Sequence, residues 1–332
     1  MWPDWAAAAG RGAKRYVRGL PLCVSIEVTH GCTADCRHCN LGGLLASERR
    51  ASPQEYAELL RVVGSPPVIQ ISGGEPLSRP DVFDIIRAVR GANGVPVIIF
   101  VTNGSLLDPG TYQNLNEAGT SRFSVSLDFP DERHDAFRRC PGLFKHLSSV
   151  LPEIARTAGG GCNVALNTAI TKANFREIVN IARLARDWGV GVAYSAYTRM
   201  KTGDESLLLS ADETRMLARL IDELIEMKAR GANILNPPSL LKRTVRYFAD
   251  GQVPHCGAGK RFLVIRPDGG LIPCSSFQDA RYPSVDAMQA WVGQNTCTAC
   301  YVAIRAYTDR TPLQFLGDAR HLLKAALSAK PH

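Results

Sequence analysis

The chain has 332 residues, 45% of them hydrophobic and 21% charged, the balance of an ordinary soluble protein with room for one large α/β domain or two smaller ones. Thirty-nine basic against thirty-one acidic side chains leave a formal charge of +8, concentrated locally at Arg11 to Arg18 and Arg310 to Lys330, but no aromatic-interleaved basic stripe marks a nucleic-acid interface. No apolar run is long enough to span a bilayer and the N-terminus lacks the apolar core of a secretory signal, so the expectation is a cytoplasmic protein whose ten cysteines bind metal or stay thiols.

Taken in order, residues 1–20 form a basic N-terminal extension. Short β-rich runs then alternate with amphipathic helical stretches, the pattern of βα units around a parallel sheet. Strands are expected at Leu22 to Val28, Pro67 to Ile71, Val95 to Val101, Arg122 to Leu127, Asn163 to Ile170 and Gly191 to Tyr197. Between them, Ser52-Pro53-Gln54-Glu55 reads as a capping box with proline in the first turn, and Asp108-Pro109 opens a further helix. Leu143, Leu147, Val150, Leu151 and Ile154 make an apolar helix face. Asn174/Glu177 and Ser210/Glu213 read as two more boxes ahead of helices carrying Ile178, Ile181 and Ala185, and Leu217, Ile221 and Leu224. Six βα units are too few for a closed eight-stranded barrel, so residues 21–235 are expected to form an open, TIM-like partial (β/α)6 barrel with its active site at the carboxyl ends of the strands. Pro237-Pro238 reads as a linker. Residues 236–310 form a cysteine-bearing segment with few helical runs, for which a metal centre is a natural organiser, and residues 311–332 read as a basic amphipathic helix or tail.

The first strand ends in Thr29-His30-Gly31 and runs into Cys32-Thr-Ala-Asp-Cys36-Arg-His-Cys39. Thiolates are the soft ligands that iron–sulfur clusters prefer, and a loop with three of them leaves one iron of a four-iron cubane without a protein ligand. The same thiolates, joined by His30 or His38, are also a donor set for tetrahedral zinc. After the second strand comes Gly73-Gly74-Glu75-Pro76, where two glycines permit a close backbone approach.

The C-x3-C-x2-C spacing after strand one, followed at the end of strand two by Gly-Gly-Glu-Pro, resembles the radical S-adenosylmethionine (SAM) superfamily over nearly the whole chain. The resemblance implies a [4Fe-4S] cluster on Cys32, Cys36 and Cys39 whose open iron binds SAM. An electron from a flavodoxin- or ferredoxin-type reducing partner then cleaves SAM to a 5′-deoxyadenosyl radical. It implies further that Gly73, Gly74, Glu75 and Pro76 contact the SAM methionine, that His38 stands where a residue touches adenine through its backbone, and that Asn103, Ser126, Asp128 and Asn167 lie near the cofactor. Thr102 and Thr168 share those strand ends, and as turn caps or satisfied strand-end groups all of these residues also have a purely structural reading.

Cys256 and Cys274 flank a predicted strand, a turn at Pro267-Asp268-Gly269-Gly270 and a second strand, a hairpin that brings the two together, and Cys297-Thr-Ala-Cys300 supplies two more thiols. This segment resembles the auxiliary-cluster domain called SPASM or, in its shorter form, twitch, and implies a second [4Fe-4S] cluster with four protein ligands. Full SPASM domains carry further cysteines, and none follows Cys300, so one auxiliary cluster is the ceiling. Zinc on the same four thiolates is the alternative. Of the remaining thiols, Cys23 and Cys162 read as small core residues, and Cys140 as a hydrogen-atom donor of the kind found in some family epimerases.

The substrate stays open. The relatives suggested by resemblance act on an aminocyclitol, on ribosomal peptides and, for the hopanoid-modifying adenosyl transferases, on a lipid. A small molecule, a lipid-like substrate with peripheral membrane contact through the basic ends, and a peptide are therefore the candidates. A zinc-organised binding module is the non-enzyme alternative. Tyr301, Arg305 and Tyr307, directly after the last cysteine, either touch substrate or pin the C-terminal segment to the barrel.

Overall fold

The computed structural model describes residues 5–41 and 49–311 together with Leu313, Gln314 and Gly317. The expected six strands form in sequence: β1 (Cys23–Thr29), β2 (Val68–Gly73), β3 (Val97–Thr102), β4 (Arg122–Ser126), β5 (Val164–Ile170) and β6 (Gly191–Ala196). All are parallel and lie in the order β6-β5-β4-β3-β2-β1. The connecting helices are α2 (Pro53–Val63), α3 (Val82–Asn93), α4 (Pro109–Ala118), α5 (Arg133–Arg138), α6 (Leu143–Thr157) and α7 (Ile178–Asp187), with α8 (Ala211–Ala229) after β6. The result is the open, TIM-like α/β architecture read from the pattern.

The capping boxes at Ser52/Glu55 and Ser210/Glu213 form in full, each serine accepting from the glutamate N–H and each glutamate from the serine N–H. The box expected at Asn174/Glu177 does not. Asn174 is fully buried and spends its side chain elsewhere: Oδ1 accepts from Thr171, and Nδ2 donates to the carbonyls of Asp128 and Ala169. A site that tethers two strand ends outcompetes a local cap.

One face of each strand feeds the core between sheet and helices: Val24, Ile26 and Val28 of β1, Ile69 and Ile71 of β2, Phe123 and Val125 of β4, and Val192 and Tyr194 of β6. The alternate positions point to the concave face, as a period of two requires. They mix apolar residues such as Ile99, Val101 and Ala193 with polar ones, Ser25, Gln70, Ser72, Ser126, Asn167 and Ser195 among them.

Beyond residue 236 the chain is more helical than expected. Pro237 is the N-cap of α9 (Pro238–Asp250), which packs on α8 and β6 through Leu240, Leu241, Thr244, Tyr247 and Phe248. The proline pair is a helix start here, with fixed φ suited to the first turn. β7 (Phe262–Ile265) then adds to the free edge of β1 in parallel, and β8 (Leu271–Ile272) returns antiparallel as the expected hairpin, giving an eight-stranded sheet. The β7–β8 turn is tied down where Pro267 O accepts from Ala51 N at 2.6 Å and Tyr56 Oη at 3.1 Å. Short helices α10 (Gln289–Gln294) and α11 (Ala303–Thr308) complete the segment.

The N-terminal extension contains an unanticipated helix, α1 (Trp5–Val17), whose signal Gly10 and Gly12 weaken. It docks through Arg15, which donates to Pro21 O and Val63 O, and through Tyr16, whose ring lies under Arg261. The expected C-terminal amphipathic helix with Phe315, Leu316, Leu322, Leu323 and Leu327 lies outside the described residues. Among the described residues no helix is long and apolar enough to cross a membrane.

Candidate functional site

At the carboxyl end of the sheet the first cysteine loop leaves β1 and is clamped by the end of β2. Gly74 N donates to Thr29 O at 2.7 Å and Glu75 N to Gly31 O at 2.8 Å. Gly73 has φ +137°, and a Cβ on Gly73 or Gly74 would sit 2.1 Å from a carbonyl oxygen of Thr29 or Gly31 respectively. The two glycines are thus required by the approach of one strand end to the other before any ligand is considered.

Glu75 is fully buried and acts as a staple between strand ends. Its Oε1 accepts from Leu77 N at 3.1 Å and Thr102 Oγ1 at 2.7 Å, and its Oε2 from Asn103 N at 2.7 Å. Burial pushes its carboxyl up, against the pull of these donors and of Arg138. Asn103 in turn reaches the loop, its Nδ2 lying 2.8 Å from Thr33 Oγ1 and 3.7 Å from Cys32 Sγ.

Cys36 is buried, which pushes its thiol up to about 11, and Arg138 of α5 faces it with Nη1 3.8 Å from Sγ. Arg138 is neutralised by Asp128, whose Oδ2 accepts from Nε at 2.8 Å and lies 2.7 Å from Nη2. Asp128 also takes Ala169 N on Oδ1. Its carboxylate is fully buried and occupied, behind the strand ends that it was expected to serve. His38 stacks on Phe137 with centroids 5.0 Å apart, and burial lowers its pKa to about 4. Ser126 and Asn167 are register partners on β4 and β5 and face the concave side. Cys140 lies in the turn after α5 and packs against the main core. Its thiol is raised by burial and by Asp135.

The second cysteine set forms at the β7–β8 end of the sheet. Cys256 and Cys274 pack beside the buried cluster of Cys23, Ala258 and Phe262. A hydrogen bond between Cys256 and Cys297 holds the Cys256 thiol up and draws Cys297 down to about 6. Burial raises Cys274 to about 11, and Ser276 N donates to its Sγ at 3.4 Å. Arg305 is fully buried against Cys300. Tyr301 is buried beside Tyr247, with Arg243 over its ring, and Tyr307 lies close enough to Arg122 to feel its charge. The contacts of Tyr301 and Arg305 thus lie within the C-terminal segment, and Tyr307 is the one that faces a residue of the barrel.

The two sets are linked through Glu27, which sequence reasoning missed. Its side chain is buried on the concave side of β1, accepting from Ser275 Oγ at 2.6 Å and meeting His30 Nε2 at 3.0 Å. Burial works against its charge, but His30, Lys201 and Ser275 outweigh that and hold its pKa down. A lone Glu in an apolar strand was the available signal, since an acid rarely occupies a buried strand without partners. Arg138 had no comparable signal in a six-residue helix.

Both sets suit iron–sulfur ligation by the chemistry of their donors: clustered thiols, with N–H groups of Asn103, Arg138, Ser276 and Arg305 at sulfur. Among the described residues no three His, Cys, Asp or Glu side chains gather closely enough to surround a single metal ion.

Comparison with known proteins gives a consistent result. An AdoMet-dependent heme synthase of Methanosarcina barkeri is 36% identical over 209 residues, 59% of this chain and 57% of that protein, so the chain spans little more than half its length. A PqqA peptide cyclase of Gluconobacter oxydans is 27% identical over 278 residues, 80% of this chain and 74% of that protein. In fold, the chain resembles Streptococcus suis SuiB bound to S-adenosylmethionine, with a TM-score of 0.62 at 17% identity over 86% of this chain and 69% of that one. It also resembles histidine-tagged anSMEcpe with bound AdoMet, with a TM-score of 0.61 at 17% identity over 92% and 99%. Residues 26–200, more than half of the chain, match the Radical SAM superfamily. This protein therefore belongs to the radical SAM superfamily, which implies a [4Fe-4S] cluster and SAM.

Proposed function

We propose that Cys32, Cys36 and Cys39 hold the SAM-binding [4Fe-4S] cluster, that Cys256, Cys274, Cys297 and Cys300 hold a second one, and that the substrate is polar and lies against the concave face of the sheet. When bound, the first cluster and SAM supply a 5′-deoxyadenosyl radical that takes a hydrogen atom from substrate. The chain's own residues do the rest. The Gly73–Glu75 clamp fixes the cysteine loop, Asn103 and Arg138 donate to its sulfurs, and Ser126 and Asn167 remain on the open side for the cofactor.

The polar side chains of the concave face carry the choice of substrate. Ser25 and Ser72 hydrogen-bond each other at 2.8 Å and Glu27 is held by Ser275 and His30, and with Gln70 and Ser195 they make a polar lining that suits a substrate able to exchange hydrogen bonds with it. A small polar molecule is favoured over a lipid. A peptide is the second reading, supported by the alignment with PqqA peptide cyclase, which extends over 80% of this chain. On this reading the chain divides into a core at residues 21–235 and an auxiliary segment at 236–310, although β7 belongs to the same sheet as the core.

Anaerobic reconstitution tests the proposal. The expected protein is brown, holds about eight irons per chain, and releases 5′-deoxyadenosine from SAM given a flavodoxin, a ferredoxin or dithionite. Cys36→Ala abolishes the cleavage. Protein that binds no iron, or that binds it and leaves SAM intact under reduction, refutes the proposal.

A further inference from the structure

Each cysteine set has a buried arginine–aspartate pair against it, Arg138–Asp128 at Cys36 and Arg305–Asp309 at Cys300. Arg305 is wholly buried, and its contacts are specific: Nη1 donates to Cys300 O at 2.6 Å and lies 3.9 Å from Cys300 Sγ. Its Nη2 donates to Val253 O at 2.6 Å and Pro254 O at 3.2 Å, and its Nε to Asp309 Oδ2 at 3.1 Å. Asp309 also takes Gly257 N, next to Cys256, at 3.1 Å. One side chain therefore joins the loops that carry Cys256 and Cys300 and holds a full positive charge beside the Cys300 thiol.

A structural brace between two loops needs hydrogen-bond donors but not a formal charge, and a buried charge is costly unless something opposite answers it. Asp309 answers part of it. Reducing an iron–sulfur cluster adds negative charge to the site, and in a buried setting a cation within a few ångströms favours the reduced form. Asp309, of opposite sign and bound to Gly257 N beside Cys256, works the other way.

We infer that Arg305 is a positioning residue that raises the reduction potential of the second cluster, with Asp309 as its counterweight, so that the auxiliary site is tuned to accept an electron. This rests on the proposed ligation by Cys256, Cys274, Cys297 and Cys300.

The test uses full-length protein carrying Cys32→Ala, Cys36→Ala and Cys39→Ala, so that only the second cluster contributes. This background is compared with Arg305→Lys, Arg305→Met and Asp309→Asn added to it, each reconstituted anaerobically, assayed for iron and titrated potentiometrically by electron paramagnetic resonance. Arg305→Met is expected to shift the reduction equilibrium at least tenfold toward the oxidised form, a potential about 59 mV lower for a one-electron couple. Arg305→Lys keeps the charge and is expected to stay within about threefold of the parent. Asp309→Asn is expected to shift the equilibrium tenfold the opposite way.

If the parent background binds no iron, the auxiliary-cluster reading fails and takes this inference with it. If it binds about four irons and Arg305→Met changes the equilibrium less than twofold, the inference alone is overturned. Should Arg305→Met fail to retain iron, the other two variants decide: Asp309→Asn failing to raise the potential, or Arg305→Lys lowering it tenfold, overturns the inference equally.

Discussion

Replacing Glu75 separates the staple that organises the site from the cofactor it is proposed to contact. The carboxylate is fully buried and satisfies two backbone N–H groups, from Leu77 and Asn103, and the Thr102 hydroxyl. Glu75→Ala strips all three donors of their acceptor. At about 1–3 kcal/mol per buried unsatisfied group, with Leu77 N partly reachable by water, the expected loss is about 3–5 kcal/mol. Glu75→Gln keeps an amide oxygen for Leu77 and Thr102 but turns an NH2 toward Asn103 N. It loses one acceptor and relieves a buried charge, for a net cost of about 1–2 kcal/mol. Urea unfolding followed by circular dichroism at neutral pH measures both, and iron retention after reconstitution should fall in the same order as Asn103 loosens from Thr33 and Cys32. An alanine variant that loses less than about 1 kcal/mol, or a glutamine variant as unstable as alanine, would refute the reasoning that hydrogen-bond satisfaction is what Glu75 contributes.

Gly73→Ala and Gly74→Ala should each pry the end of β2 from Thr29 and Gly31, since the added Cβ sits 2.1 Å from a carbonyl oxygen. Both variants are expected to fold with loss of iron at the first site only, seen as roughly half the iron content of the parent; full iron retention in either would contradict the clamp. His134, whose Nδ1 accepts from Asp128 N, is held neutral, with its pKa lowered by burial and by Arg138 to about 3 from 6.5. A depressed folded pKa contributes stability that is complete above pH 6.5 and lost as pH falls toward about 3. Across pH 6 to 4, His134→Gln should therefore flatten the dependence of stability on pH by up to about 1.4 kcal/mol per unit. Urea midpoints measured across that range check it, and parallel curves would show that His134 is not the group titrating.

Much of this architecture was legible because the signals were local. Periodicity two against 3.6 placed six strands and their helices, and Ser52 and Ser210 announced their helices through partners only three residues away. The glycine pair was legible because a close backbone approach demands glycine at fixed positions along the chain. Long-range couplings were hidden. Asn174 matched a capping box in sequence, but its burial against Asp128 and Ala169 diverted it. Asp128 looked like a strand-end group open to a cofactor, and only the fold reveals that Arg138, ten residues on, occupies it. Glu27 and Ser275 are 248 residues apart, and no local pattern pairs them.

β7 has a consequence for how this protein comes into being. β1, which leads directly into the first cysteine loop, is bordered on one side by β2 and on the other by a strand from the last quarter of the chain. Until that strand arrives, during synthesis or refolding, β1 presents a row of bare peptide groups, which in sheet proteins invites pairing with other chains. On the proposed ligation, loading the first loop with iron and completing the sheet are competing events at the same strand, and conditions that slow the C-terminal segment should favour aggregates over a half-built fold.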